Sequence, residues 1–116
     1  MIRLIRSFGF AFNGLRICFF KEPNFKIHIF FLLVVIIAGF ALKISSVEWT
    51  IVLLCAGLVI GMEMLNTAIE KFCNVVHIEK HPGIKITKDV AAGAVLVSAI
   101  IAAICGAIIF IPKIFY

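Results

Sequence analysis

The chain of 116 residues is 64% hydrophobic and 15% charged, with a net charge of +5, and its mean hydropathy is +1.21. A water-soluble domain holds roughly a quarter charged residues and about half apolar ones, so this composition excludes most soluble enzyme scaffolds and points to lipid as the main solvent. The basic residues flank apolar blocks instead of forming a soluble basic face, which argues against nucleic-acid binding.

The N-terminal stretch opens with a helical stripe. Ile5, Phe8, Phe12, Leu15 and Phe19 recur at alternating steps of three and four, with Arg3, Arg6 and Asn13 on the other side. That pattern predicts an amphipathic helix lying in the membrane interface, although Phe10, Ile17 and Phe20 stray from the apolar face. Arg6, Asn13 and Arg16 break any apolar run long enough for a signal peptide, so no cleaved leader is expected.

Glu22-Pro23-Asn24-Phe25 breaks this surface helix from the first apolar block, and Pro23 suits the first turn of a new helix. The block runs from Ile27 to Leu42 and reaches spanning length once extended back to Phe25. A second block runs from about Val47 to Asn66 and a third from Val90 to Ile111. About 20 helical residues cross a hydrocarbon core of ~30 Å, and each segment has to be helical because lipid offers no partner for the backbone. The expected fold is therefore all-α and membrane-embedded, with a surface helix and three spans forming one domain over residues 1–116.

Basic residues set the orientation. Arg3, Arg6, Arg16, Lys21 and Lys26 precede the first span, and Lys71, Lys80, Lys85 and Lys88 lie between the second and third. The 43–49 turn holds only Lys43, and the C-terminus only Lys113. The positive-inside bias then puts the N-terminus and the second loop in the cytoplasm.

The second span continues into a segment that a simple anchor would not need. Glu63, Asn66, Thr67, Glu70 and Asn74 fall within an arc of about 100° on a helix, while Met64, Leu65, Ile69 and Phe72 point elsewhere. An acidic residue at the centre of a span costs about 2.5 to 3.5 kcal/mol, so a face of this kind at the membrane boundary is a candidate site. Glu63 and Glu70 lie about 10.5 Å apart along the axis. That is too far for one Mg²⁺ with ligands at ~2.1 Å, so the two carboxylates serve different tasks. The deeper Glu63 can reach a lipid head group, and the shallower Glu70 a soluble cosubstrate.

Glu22 and the pair Lys88-Asp89 flank spans at the same depth, and Lys88 could hold phosphate oxygens as a point charge. In the third span, Ala94, Ser98, Ala102 and Gly106 recur every four residues beside Ala99, Ala103 and Ala107. Such smooth faces suit close helix packing and self-association in lipid. The four cysteines, Cys18, Cys55, Cys73 and Cys105, form no CxxC pair and read as small apolar residues. Cys73, His77 and His81 share a helical spacing, but Pro82 would end that helix and no fourth ligand is evident, so zinc is not expected. No phosphate loop, kinase glycine loop or dinucleotide fingerprint is present, which leaves carboxylate-bound Mg²⁺ and basic side chains to hold any nucleotide.

The segment EMLNTAIEKFCN at 63–74, with KDVAAGAVL at 88–96, resembles the small prokaryotic diacylglycerol kinase family. EPNFKIH at 22–28 and SSVEW at 45–49 look like its undecaprenol kinase branch, and the likeness extends back to GFAFNGLR at 9–16. The resemblance implies a homotrimer in the bacterial cytoplasmic membrane, with active sites shared between neighbouring subunits. It implies that Glu63 is the general base on the lipid hydroxyl, that Glu22 and Glu70 bind Mg²⁺-ATP, and that Asn66 supports them. Lys88 and Asp89 would contact the nucleotide, with Glu79, Lys80 and His81 nearby. Arg3 resembles the family's arginine at the lipid and nucleotide site.

Two departures stand out. Asn74 occupies a position where the family usually has Asp, which removes one carboxylate from the stripe, and Phe10 stands where a Tyr often packs by the nucleotide. The expected reaction is transfer of the ATP γ-phosphoryl group to a lipid alcohol. Undecaprenol is favoured by the two branch motifs, but diacylglycerol presents a primary hydroxyl at the same depth. A non-enzymatic transporter or assembly protein would use Glu63 as an intramembrane proton or cation site, and would have no need of Glu22, Glu70 and Lys88 at one interface.

Overall fold

The computed structural model describes residues 1–76 and 81–116. It contains four helices in chain order: α1 Ile2–Lys21, α2 Pro23–Ala41, α3 Ser46–Val76 and α4 Pro82–Phe115. Pro23 makes the first break. Glu22 is extended at φ −111 and ψ 109, as a residue before proline prefers, and its N–H still closes the last turn of α1 on the Cys18 carbonyl at 3.1 Å. Pro23 then occupies the first turn of α2, two residues earlier than the extended first span was expected to begin.

The α2–α3 turn is tight. Lys43 takes a left-handed φ of 52, and Ser45 and Glu48 form a reciprocal capping box, with Ser45 N–H donating to Glu48 Oε1 at 2.8 Å and Glu48 N–H to Ser45 Oγ at 3.2 Å. Glu48 also pairs with Lys113 Nζ at 3.1 Å. That contact ties the start of α3 to the end of α4, so the two helices run antiparallel.

α4 opens at Pro82, eight residues before the apolar block, and His81 caps it by accepting the Gly83 N–H on Nδ1 at 3.0 Å. Lys88 and Asp89 consequently sit inside α4 rather than at its opening. Helices of 31 residues for α3 and 34 for α4 extend about 46 and 51 Å, well beyond a ~30 Å hydrocarbon core. Their excess carries the polar residues out to one end of the bundle.

Three helices, α2, α3 and α4, are long and apolar enough to cross a membrane. Their large side chains point outward: Phe40 is 72% exposed, Leu54 69% and Ile108 69%. In water these would be a prohibitive apolar surface, whereas in a bilayer they face their solvent. The inner contacts are few. Ile44, Val52 and Ile109 form a small buried cluster with Val35, Trp49 and Phe110 against it. Trp49 packs against Phe40 with ring centroids 4.9 Å apart and the rings tilted by 52°, and it lies over Gly39, where an added Cβ would meet the indole at 2.6 and 2.8 Å.

Residues 2–13 of α1 are all exposed. Only its C-terminal part docks, with Cys18 buried.

Candidate functional site

The site forms where α2, α3 and the α1–α2 break meet. Glu63 is 3% exposed, Asn66 6% and Thr67 4%, so the deep half of the polar stripe is buried although it lies on a helix of otherwise apolar character. Facing Glu63 from α2 is His28, with Nε2 3.6 Å from Glu63 Oε2. Burying a carboxylate is tolerable only with such a partner or a proton.

One turn further along α3, Asn66 Nδ2 donates to Glu70 Oε1 at 3.5 Å, at the limit of a hydrogen bond. Asn66 Oδ1 is buried and accepts no hydrogen bond among the described residues. An orphaned oxygen beside a half-buried carboxylate calls for a cation or a donor from outside the chain.

Glu22 hangs at the α1–α2 break, where Pro23 holds it over α3, and it pairs with Lys71 Nζ at 3.2 Å. Cys18 lies buried beside it. Burial, reinforced by the Glu22 carboxylate, pushes the Cys18 thiol above its ordinary range. The shallow end of the stripe is closed from α4, where Lys88 Nζ donates to Asn74 Oδ1 at 2.6 Å.

Of the residues singled out in the sequence, the fold gathers Glu22, Glu63, Asn66, Glu70 and Lys88 at one end of the bundle. Asp89 is at that end too, but its carboxylate is exposed and paired with Lys85 of its own helix at 2.6 Å. His81 caps α4 at the same end. Glu79 and Lys80 lie outside the described residues, as does His77. Arg3 and Phe10 are not brought to the site within this chain. Both are exposed on α1, and a helix rise of ~1.5 Å puts Arg3 about 28 Å and Phe10 about 18 Å from Glu22 along the axis.

Two participants escaped the sequence reading, His28 and Lys71. His28 carried a signal, since an ionisable residue inside an apolar span is a site candidate by default. Lys71 carried none beyond being one of several flanking cations.

Apart from Glu63, the donors at this end are hard oxygens: the carboxylates of Glu22 and Glu70 and the amide oxygen of Asn66. Mg²⁺ is bound through one or two carboxylates together with substrate phosphates, so this set fits it. Among the described residues no three His, Cys, Asp or Glu side chains converge as a closed metal cage. The deep end of the site opens on a cavity of about 430 Å³ between α2, α3 and α4. His28 is at its rim, and Ala99, Ala102, Ala103 and Gly106 of α4 line it. The small-residue faces of α4 do bring it close to α3, the most tightly packed pair of helices, with Ser98 buried, and they also line this cavity.

The sequence model of the prokaryotic diacylglycerol kinase family matches residues 9–110. An undecaprenol kinase of Bacillus subtilis is 40% identical over 111 residues, covering 96% of this chain and 90% of that protein. A diacylglycerol kinase of Synechocystis sp. is 38% identical over 110 residues, 94% of this chain and 63% of that protein. A diacylglycerol kinase of Escherichia coli is 28% identical over 102 residues, 88% of this chain and 84% of that protein.

Proposed function

This chain belongs to the prokaryotic diacylglycerol kinase family and is an ATP-dependent lipid kinase, and from that premise we propose that its acceptor is undecaprenol and its catalytic base Glu63. The acceptor follows the 40% identity to an undecaprenol kinase across nearly the full length of both chains. Diacylglycerol is the second reading, favoured by the 38% identity to a diacylglycerol kinase.

The observation that carries the base assignment is the burial of Glu63 against His28 at 3.6 Å, at the end of the bundle that also holds Glu22, Glu70 and Lys88. Glu63 accepts the proton of the lipid hydroxyl as its oxygen attacks the γ-phosphorus. A new P–O bond forms, the bond to the β-phosphate oxygen breaks, and ADP leaves with the electron pair. Glu22 and Glu70, backed by Asn66, would hold Mg²⁺, which would supply neutralisation of phosphate charge. Lys88 pairs with phosphate oxygens after releasing Asn74, and Asp89 and His81 border the nucleotide. Catalysis is then mostly positioning, with the base contributing roughly 10² to 10⁴ in rate.

Arg3 and Phe10 contribute to lipid and nucleotide binding from a neighbouring protomer. The length of α1 supports that division, because each residue is too far along its own helix to reach its own Glu22. A homotrimer with shared sites satisfies it, with the apolar stripe of α1 lying in the interface of the bacterial cytoplasmic membrane and the N-terminus on the cytoplasmic side. The test is labelled γ-phosphate transfer to undecaprenol and diacylglycerol offered together. Equal or greater labelling of diacylglycerol would reverse the acceptor assignment.

A further inference from the structure

After Lys26, α2 carries one ionisable side chain, His28, before its apolar run continues to Ala41. A histidine that served only to anchor the helix would turn toward the head groups, as long cationic side chains do at span ends. His28 instead turns inward. Its Nε2 lies 3.6 Å from Glu63 Oε2, with the two side chains 21% and 4% exposed, and its ring borders the apolar cavity. Among the described residues no other side chain is paired with the Glu63 carboxylate.

A general base needs a fixed orientation within reach of the proton it removes. Among the described residues Glu63 receives no such fixing from its own helix, since Asn66 engages Glu70 instead. The geometry points to His28 as the positioning residue for Glu63, holding one carboxylate oxygen so that the other is left for the hydroxyl of the acceptor lipid. This inference rests on the reading of Glu63 as the base. The 3.6 Å separation lies just beyond hydrogen-bond length, and catalytic contacts of this kind tighten when substrate binds.

The test compares His28→Leu and His28→Gln in the full-length protein, with Glu63→Gln alongside, assayed in detergent–lipid micelles and by binding of a fluorescent ATP analogue. The leucine variant is expected to lose about 10- to 100-fold in kcat with KM for ATP within about twofold, since positioning acts on the chemical step. Glutamine, whose amide N–H can reach the same oxygen, is expected to restore most of that loss. Full kcat in His28→Leu, or equal loss in both variants, would overturn the assignment, as would loss of nucleotide binding in both. If Glu63→Gln is itself active, the base reading fails. If it is inactive while His28→Leu is fully active, only the role of His28 fails.

Discussion

Lys88 of α4 donates to Asn74 of α3 at 2.6 Å, joining the two longest helices at the end where the carboxylates collect. The pair is exposed, so its contribution to stability is small, on the order of 1 kcal/mol. Its interest lies in what each partner does alone. Asn74→Ala should leave turnover within about threefold and lower Tm by a few degrees at most. Lys88→Met should raise KM for ATP and lower kcat/KM by about 100-fold or more, because a phosphate-binding charge is gone. Steady-state kinetics on both variants separates the roles, and an equal effect would mean that the contact matters and the charge does not.

Residue order alone carries the helices, because blocks of about 20 apolar residues and a proline at position 23 leave few alternatives in lipid. It also carries the stripe Glu63, Asn66, Thr67, Glu70 and Asn74, since a 3.6-residue period fixes which side chains share a face. The partners of that stripe are another matter. That His28 meets Glu63, Lys71 meets Glu22 and Lys88 meets Asn74 depends on how each helix is rotated about its axis, and apolar helices in lipid give little rotational signal. Arg3 and Phe10 entered through family resemblance, and their distance from Glu22 within this chain is a fact of tertiary structure that no local pattern encodes.

Lys71 neutralises Glu22 at 3.2 Å while itself 52% exposed. If Glu22 is a metal ligand, the ammonium competes with the incoming cation. Lys71→Met should lower the Mg²⁺ concentration for half-maximal activity, by no more than about fivefold given that a half-exposed pair is worth at most ~1 kcal/mol. A magnesium titration of activity checks this, and an unchanged or higher requirement would remove Lys71 from the site.

Gly39 leaves no room for a side chain under Trp49, where an added Cβ would lie 2.6 and 2.8 Å from the indole. Gly39→Ala should cost about 1 to 3 kcal/mol by overpacking. Trp49→Phe in the same chain should recover part of the loss, giving a favourable coupling in a double-mutant cycle read by thermal unfolding.

Cys18 is held above the ordinary thiol range by burial first and by the Glu22 carboxylate second. The raised value means less thiolate at any given pH. At pH 8 a maleimide should label Cys18 more slowly than it labels a free cysteine peptide, and the rate should rise only as pH passes above the usual thiol range. Labelling as fast as the peptide would contradict the buried placement of the α1 C-terminus.

Glu63 bears the central claim, and Glu63→Gln tests it with almost no change in shape. Labelled γ-phosphate transfer from ATP is measured with undecaprenol and diacylglycerol side by side, for the unsubstituted chain and for this variant. Preferential labelling of undecaprenol, reduced by roughly 10² to 10⁴ in Glu63→Gln with nucleotide binding intact, is the predicted result. Near-normal transfer by Glu63→Gln would contradict it.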